Sequence, residues 1–239
     1  MAETAQKQIW DDFVVAHQIA ESGVPLFATE ALNVLTKQVG KTYIRQVLQR
    51  SEEMEALIEK ECGRLVLDWE LGARQFDGLI YMMFRKSNDG SVTPLYIGKT
   101  ETTGKQNGNL SANIKGLQRD KSKFARWGDG HQYHIGDLSA ATLTGYPIEK
   151  IQPKYRNWSQ SLFRVTPSDR PVLKAPVYFW AKAWKPTDVS IWREFSPTRL
   201  TFLEYQLIGV ASTLFPNDLL NEEGQTEPDT PTATLQGGL

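Results

Sequence analysis

The feature that most constrains the fold of this chain is a run of six apolar and aromatic residues followed by a turn and a second short apolar segment. The run reads LIYMMF over residues 79–84, and the second segment reads PLYI over residues 94–97. Between them lies Asn88-Asp89-Gly90, a strong turn signal, and Gly98 ends the second segment. This order predicts an antiparallel hairpin whose first strand is buried.

Residues upstream of the hairpin have a different pattern. Apolar side chains recur near helical period through residues 5–75, and Ser51 followed by Glu52 and Glu53 predicts a helix start. We therefore predict an N-terminal helical region over residues 1–75. Its apolar stripes pack either on the rest of the chain or on a second copy, which leaves a homo-oligomer open.

Downstream of the hairpin, helices and strands alternate, so the predicted class is α+β with a small mixed sheet flanked by helices. The predicted elements are a helix over 110–127, strands over 131–135 and 177–184, and a helix over 201–215. Residues 138–172 form an insertion of undetermined structure within a domain that spans 76–221. The tail, 222–239, contains no aromatic residue and is predicted to be disordered.

Composition limits the compartment. The 239 residues are 40% hydrophobic, which is enough for a sizeable core, and Cys62 is the single cysteine. One cysteine allows neither an internal disulfide nor a cysteine-based zinc site, so a reducing compartment, the cytoplasm, is predicted. The sequence has no secretory leader pattern and no window of 18 uninterrupted apolar residues, which predicts a chain that is neither secreted nor in the membrane.

The net charge of −1 hides an uneven distribution. Residues 1–84 carry 8 basic and 13 acidic side chains, residues 85–174 carry 15 and 7, and residues 175–239 carry 4 and 8. The excess of +8 in the middle is either chance clustering or the footprint of a nucleic acid.

The predicted helix over 110–127 concentrates part of that positive charge. Lys115, Arg119 and Lys123 recur at four-residue spacing, with Arg126 nearby, opposite an apolar stripe. Like charges at this spacing destabilise an isolated helix, whereas a bound phosphate reverses that effect. The basic side is therefore either a solvated surface or a site for DNA phosphates.

The last predicted helix carries a carboxylate in the wrong place for a simple core helix. Glu204 lies inside its apolar arc, where a charge is costly unless it is paired or binds a cation. One interpretation is a buried ion pair with Arg199 or Arg193. The other is a single carboxylate ligand for a hard divalent cation, which also accepts water oxygens.

Each predicted strand of the hairpin carries a tyrosine close to a glycine, and we call these two pairs the half-motifs. Tyr81 follows Gly78 at a distance of three residues, and Tyr96-Ile97-Gly98 is followed by Lys99. This pair of half-motifs, ordered before a basic segment and a late helical glutamate, resembles the GIY-YIG nuclease superfamily. The glycine of the first half-motif stands one residue early, at Gly78.

The resemblance implies a metal-dependent endonuclease that hydrolyses DNA phosphodiesters with Mg²⁺ or Mn²⁺ and leaves a 5′-phosphate and a 3′-hydroxyl. It implies that Glu204 binds the metal and that Tyr81 and Tyr96 orient the attacking water or accept its proton. Proton acceptance needs a phenol pKa lowered by the metal or by Lys99. Asn221 would brace the site, with Asn217 as a second candidate.

The cation that stabilises the transition state is where the chain departs from the family. Asn113 and Leu117 occupy the positions at which an arginine and its partner are usual, so the role falls to Lys115 or Arg119. Phosphate contacts away from the scissile bond are predicted for Lys105, Lys123 and Arg126. The departure leaves a second interpretation open, a catalytically inactive DNA-binding or partner-binding module.

Three other features of the sequence support weaker predictions. The free-standing domain fits a restriction or anti-phage nuclease. His131, His134 and Asp137 are predicted to form a polar edge rather than a reactive group. Tyr155 and Trp158, interleaved with basic residues, either stack on bases or form a small core of the insertion.

Overall fold

Six α-helices and eight β-strands build the part of the chain that the computed structural model describes, residues 2–104 and 108–223. In chain order they are α1 (Ala2–Ala16), α2 (Ile19–Ser22), β1 (Val24–Pro25), β2 (Thr29–Glu30), β3 (Asn33–Val34), β4 (Thr36–Val39), β5 (Arg45–Leu48), α3 (Glu52–Glu70), β6 (Gly78–Lys86), β7 (Val92–Glu101), α4 (His134–Thr142), α5 (Pro153–Leu162), β8 (Tyr178–Trp184) and α6 (Leu200–Leu214). Short 3₁₀ turns occur at Phe124–Arg126, Ile148–Lys150 and Arg193–Phe195.

The main sheet has four strands in the order β1-β8-β6-β7. Every neighbouring pair is antiparallel, so the sheet is not mixed as predicted. The reason is the return path, because the chain between β7 and β8 re-enters the sheet beside β6 from the opposite end. The predicted α+β class is confirmed.

Strand β6 lies at the centre, and its first seven residues are all buried. Alternate residues point to opposite faces. Leu79, Tyr81 and Met83 point to one face of the sheet, where α3, α4 and α5 pack. Ile80 and Met82 point to the other face, where α1 and α6 pack. Helices therefore cover both faces of the sheet, which explains the unbroken apolar run in the sequence.

The N-terminal region is only partly helical, and the prediction of helices across residues 24–48 was wrong. These residues form β1 to β5, and β1 pairs with β8 in the main sheet. Gly40 has a φ of +101° in the turn between β4 and β5, where a Cβ would lie 2.2 Å from the carbonyl oxygen of Tyr43. Tyr43 and Ile44, which belong to the predicted apolar stripe, are exposed.

The helix predicted over 110–127 is also wrong. The segment consists of turns and ends in the 3₁₀ turn at Phe124–Arg126. Gly116 has a φ of +76°, which interrupts a right-handed helix, and the backbone is left-handed again near residue 125. The four-residue spacing of its basic side chains consequently defines no helical face.

The strand predicted over 131–135 is replaced by the start of α4. Ile135, Leu138 and Ala141 are buried at spacings of three residues, which fits a helix better than a strand. Gly136 permits this close packing, because a Cβ there would lie 1.9 Å from the carbonyl oxygen of Gly130.

The insertion over 138–172 contains most of α4 and all of α5. Its aromatic side chains Tyr155 and Trp158 belong to the same buried layer as Tyr81, so the insertion is part of the main core rather than a small core of its own. The predicted strand over 177–184 and helix over 201–215 are confirmed as β8 and α6. The tail from residue 224 onward, which we predicted to be disordered, lies outside the described residues.

Candidate functional site

The two motif tyrosines lie on one face of the hairpin. In the register of β6 and β7, Tyr81 is opposite Gly98 and Met83 is opposite Tyr96. Opposed residues share a face, and so do residues two apart on one strand. The centroids of the two rings are 6.4 Å apart. The register, which shifts by one residue between Met83 and Phe84, therefore brings the two half-motifs together on one face.

Gly98 is what allows this approach. A Cβ at residue 98 would lie 2.7 Å from Cε2 of Tyr81 and 3.0 Å from its hydroxyl oxygen, closer than packed atoms come. Gly78 has a comparable role at the start of β6, where a Cβ would lie 2.2 Å from the carbonyl oxygen of Thr100. A side chain at residue 78 would therefore clash with the neighbouring strand β7.

Tyr81 is buried in an aromatic cluster and belongs to a chain of hydrogen bonds. Its hydroxyl donates to the carbonyl oxygen of Lys99 (3.3 Å) and lies 3.5 Å from Nε2 of His134. Nδ1 of His134 is 2.9 Å from the hydroxyl of Tyr155. One proton arrangement satisfies the whole chain of hydrogen bonds. The hydroxyl of Tyr155 donates to Nδ1 of His134, the Nε2–H of His134 donates to the hydroxyl of Tyr81, and that hydroxyl donates to the carbonyl of Lys99.

The cluster favours neutral groups. Burial raises the pKa of Tyr81 well above its ordinary value, and burial lowers the pKa of His134 well below its ordinary value, with the charges of Lys154 and Arg126 acting in the same direction. Both side chains are uncharged at neutral pH. His134 was predicted to lie on a polar edge, and that prediction was wrong, because the start of α4 inserts the ring between Tyr81 and Trp158.

Tyr96 occupies the more open end of the cluster. Its ring packs 4.6 Å from that of Trp158 and is partly exposed. Burial raises the pKa of Tyr96, and the charge of Glu204 raises it further. This direction is opposite to the one that proton acceptance requires. Among the described residues, the charge of Arg126 opposes this rise, but the pKa of Tyr96 stays above its ordinary value.

Glu204 is a half-buried carboxylate near the edge of the sheet. Helix α6 packs mainly on the other face, but it also contacts the edge strand β7. Among the described residues Glu204 has no ion pair and no hydrogen bond. Arg199, which we considered as its partner, binds Asp77 instead at 3.0 Å. Burial raises the pKa of Glu204 to about 7, opposed by Lys99 and assisted by Glu101.

The carboxylate fits a divalent cation that takes most of its other ligands from water or substrate. No group of three His, Cys, Asp or Glu side chains in the described ranges could hold a metal ion. A site with one protein carboxylate is compatible with Mg²⁺, which retains several waters and binds substrate phosphates. An oxygen ligand without a partner, in a place where its negative charge is costly, is the feature that such a site needs.

Asn221 braces the edge strand. Its Oδ1 accepts from the amide of Ile97 (3.0 Å), and its Nδ2 donates to the carbonyl of the same residue (2.8 Å). The amide of Leu220 donates to the carbonyl of Leu95 (2.7 Å). The segment after α6 therefore lies along β7 beside Tyr96 and fixes it. Asn217, the second candidate, is exposed.

Lys99 lies on the Glu204 side of the strand. Its ammonium group pairs with Glu101 at 2.5 Å, and its charge lowers the pKa of Glu204. Through its carbonyl oxygen it holds the hydroxyl of Tyr81. Lys99 thus contacts the site mainly through its backbone and through the electrostatic field at the carboxylate.

The remaining predicted cations are dispersed. Lys115 and Arg119 are exposed and line an open groove of about 600 Å³ against α3, which neither tyrosine lines. Lys115 also borders a smaller cavity of about 150 Å³ together with Lys123. Lys105 lies outside the described residues. The structure does not bring Lys115 or Arg119 to the tyrosine cluster.

Arg126 is a cation of this segment whose charge acts on the cluster. Its positive charge lowers the pKa of Tyr81, Tyr96 and Tyr155, and it lowers the pKa of His134 as well. Its guanidinium carbon lies 5.4 Å from the ring centre of Tyr133. Sequence analysis assigned Arg126 to DNA binding, because a right-handed helix would have placed it with Lys115 and Arg119.

A left-handed turn produces this placement. Phe124, Ala125 and Arg126 have φ values of 29°, 51° and 75°. Such a conformation costs on the order of 1–3 kcal/mol for each non-glycine residue and persists only where the surroundings impose it. The hydroxyl of Thr100 donates to the carbonyl of Ala125 at 3.0 Å, which ties the turn to β7.

Arg50 provides the main support for the turn. Its side chain is fully buried, and Nη1 donates to the carbonyl of Trp127 (2.9 Å) while the guanidinium lies 4.7 Å from the ring centre of Phe124. Its charge is balanced by Glu55, to which Nε donates at 3.0 Å. Arg50 was not identified from the sequence, since no local pattern links it to a segment more than 70 residues away.

Comparison of the chain with protein-family models, curated proteins and solved structures finds no match. Across the described residues, no helix is both long and apolar enough to span a bilayer.

Proposed function

We propose that this protein is a metal-dependent endonuclease that hydrolyses DNA phosphodiesters. The observation that carries the proposal is that the charges of Glu204 and Arg126 both act on Tyr96, which lies on the face of the sheet that holds the aromatic cluster. The two tyrosines stand together on that sheet face. The resemblance of the half-motifs to GIY-YIG nucleases names the reaction.

Glu204 would hold a Mg²⁺ or Mn²⁺ ion, which when bound supplies neutralisation of the charge on the scissile phosphate. Arg126 takes the place that Lys115 or Arg119 was predicted to fill and stabilises the charge of the transition state. Asn221 keeps β7, and with it Tyr96, in register. Lys105 and Lys123 remain proposals for contacts with flanking phosphates.

The tyrosines act as neutral phenols in this proposal. Tyr96, the more exposed of the two, uses its hydroxyl to orient the attacking water for in-line displacement. Tyr81 is enclosed and positions the strand and His134 rather than touching DNA. We assign orientation rather than proton removal to Tyr96, because its surroundings raise the phenol pKa.

A second function is favoured by a specific observation. The raised pKa values of both tyrosines, and the location of Lys115 and Arg119 away from them, fit a module that binds DNA or a partner without cutting. Restriction or anti-phage defence remains one biological setting for the active form.

Cleavage of supercoiled plasmid DNA separates the two functions. We expect the wild-type protein to nick or linearise plasmid with Mg²⁺ or Mn²⁺ and to be inactive with EDTA. Glu204→Gln should abolish cleavage, because an amide is a poor ligand for a hard cation, and should leave the circular dichroism spectrum unchanged. Glu70→Gln, at the exposed end of α3, is the matched control and should cut normally.

Two results would count against the endonuclease. Normal cutting by Glu204→Gln would remove the metal assignment. Salt-sensitive DNA binding without any cleavage by the wild-type protein would favour the binding module. Single-stranded and double-stranded substrates with mapped ends complete the assay, since they test the predicted 5′-phosphate and 3′-hydroxyl.

A further inference from the structure

Lys154 is a partly buried cation that forms no ion pair within the described part of the chain. It comes from α5, in the insertion, and its Nζ lies 4.6 Å from the ring centre of Tyr96, 5.3 Å from that of Trp158 and 5.7 Å from that of Tyr155. Three aromatic rings therefore surround the ammonium group. Among the described residues, no carboxylate lies within 4.0 Å of it.

The ammonium group is directed at the hydroxyl of Tyr96. Nζ donates to that hydroxyl at 3.4 Å, a long hydrogen bond that leaves donor capacity unused. Glu204, Glu222 and Glu223 act on Lys154 through their charges without touching it. Lys154 and Glu204 thus approach the hydroxyl of Tyr96 from different elements, α5 and α6.

An unpaired cation in such a place calls for an anion. Enclosure by aromatic rings removes part of the hydration of an ammonium group, which costs free energy. Attraction between the ammonium group and the ring faces compensates only a fraction of that free energy. The carboxylates of Glu204, Glu222 and Glu223 act on it only at a distance, so an anion in direct contact would stabilise the ammonium group further. A phosphate oxygen at the Tyr96 hydroxyl would be such an anion and would use the free donors.

We propose that Lys154 is a further catalytic residue, whose ammonium group binds a non-bridging oxygen of the scissile phosphodiester beside Tyr96. The inference rests on the proposed endonuclease function and extends it, because it makes the insertion part of the active site. Lys154 stays protonated throughout and takes part in no covalent step. It binds the phosphate from the α5 side while Glu204 lies on the α6 side.

The alternative is a structural role in which Lys154 only supports the ring of Tyr96. Lys154→Met keeps much of the apolar length and removes the charge, whereas Lys154→Arg keeps the charge. Arg156→Met is the matched control, because it removes a cation from the same helix at an exposed position two residues away.

The first measurement does not depend on cleavage. The wild-type protein is treated with pyridoxal 5′-phosphate and borohydride, with and without a 20-base-pair duplex in EDTA, and the modified lysines are mapped by mass spectrometry. We expect Lys154 to react and the duplex to protect it by at least fivefold. Equal modification with and without DNA, or none in either, overturns the proposal.

The second measurement is plasmid cleavage under saturating DNA. We expect Lys154→Met to lower kcat by about 100-fold with a smaller change in KM, as for the loss of one group that stabilises transition-state charge. Lys154→Arg should retain activity within about tenfold, and Arg156→Met should leave kcat unchanged. A kcat for Lys154→Met within twofold of the wild type overturns the catalytic role, even if DNA protects the lysine.

The two proposals fail in different ways. A wild-type protein that never cuts DNA contradicts the endonuclease, and the protection experiment then still decides whether Lys154 meets a phosphate. If Lys154→Met does not fold, as judged by thermal melting, the wild-type protection and the Lys154→Arg kinetics decide.

Discussion

Glu204 is a half-buried carboxylate whose lack of a partner among the described residues supports the proposed metal site. A carboxylate that had only a structural role in α6 would be paired or replaced by an apolar side chain, because burial without a partner is unfavourable. Here the described surroundings raise its pKa to about 7 and offer no ion pair. Stability is given up at this position, and metal binding is the compensation that we propose.

The cost of that charge can be measured. The pKa of Glu204 is raised from 4.5 in the unfolded chain to about 7, so the folded state favours the protonated form. Its contribution is fully favourable below pH 4.5 and is lost as the pH rises through 7. We expect Glu204→Gln to raise Tm by about 2–6 °C at pH 8 and to have little effect at pH 4.5.

Differential scanning calorimetry of both proteins at the two pH values, without metal, is the test. Comparing the difference between variants cancels the titration of other groups. A Tm difference between the variants that is the same at pH 4.5 and pH 8 would mean that ionisation of Glu204 does not destabilise the folded state.

Gly98 is the other residue at which the site constrains the chain. Gly98→Ala would place a methyl group 2.7 Å from the ring of Tyr81, which has no room to move within the buried cluster. We expect a loss of about 1–3 kcal/mol in the free energy of unfolding, measured with urea. Gly209→Ala on α6 is the control.

A Cβ at residue 209 meets nothing within 4 Å, and alanine favours a helix over glycine by up to about 1 kcal/mol. Gly209→Ala should therefore be neutral or stabilising. If Gly98→Ala matched it, the packing of Tyr81 over Gly98 would not be limiting.

At the scale of elements, the left-handed turn at Phe124–Arg126 is held by contacts from distant segments. Arg50 precedes α3, yet it supports the carbonyl of Trp127 and the ring of Phe124. The conformation of this turn places Arg126 where its charge acts on Tyr81 and Tyr96. We therefore propose that Arg50 is a positioning residue, which would act through Arg126 without touching DNA.

A double-mutant cycle tests this relation. Arg50→Lys keeps a charge but cannot reproduce the planar set of contacts, so we expect kcat for plasmid cleavage to fall by about 10-fold or more. In an Arg126→Ala background the same change should alter kcat by less than twofold, because the group that Arg50 positions is absent.

Loss of stability alone would behave differently. Val14→Ala, on the opposite face of the sheet, weakens the core by about 1 kcal/mol or more and should leave kcat unchanged. Equal effects of Arg50→Lys in both backgrounds would show that Arg50 acts independently of Arg126.

At the scale of the whole molecule, folding neutralises part of the basic segment. Lys121 forms ion pairs with Glu55 and with Glu59 (3.0 Å), both from α3. The acidic N-terminal region and the basic middle are therefore packed against each other. The cations left for a polyanion are those without such partners in the described structure, among them Lys123.

This difference predicts different salt dependences. Lys123→Ala should weaken binding to all duplex sequences about equally and reduce the slope of log K against log salt by roughly one unit. Lys121→Ala should leave the slope unchanged, because its charge is already paired. Titration of a labelled duplex at several salt concentrations measures both. An unchanged slope for Lys123→Ala would identify that side chain as solvated surface.

The sequence by itself determined the parts of this protein that depend on local order. The apolar run and the turn are sufficient for the hairpin, but the shared face of Tyr81 and Tyr96 depends on the irregularity between Met83 and Phe84, which shifts the register of β6 and β7 by one residue. The helical period is sufficient for α6 and for recognising that Glu204 is out of place. Each of these signals is contained within about 20 residues.

Two features were decided only by the tertiary structure. One is which cation of the basic segment acts on the tyrosines, and the other is that residues 24–48 form short strands. Strand β1 exists because it pairs with β8, more than 150 residues later. Arg126 reaches the cluster through a turn that is unfavourable locally and is supported by Arg50. His134 and Lys154 arrive on helices that pack together only in the folded chain. At these positions long-range contacts outweigh the local preference for a secondary structure. The periodicity of apolar residues in the sequence carries no information about such contacts.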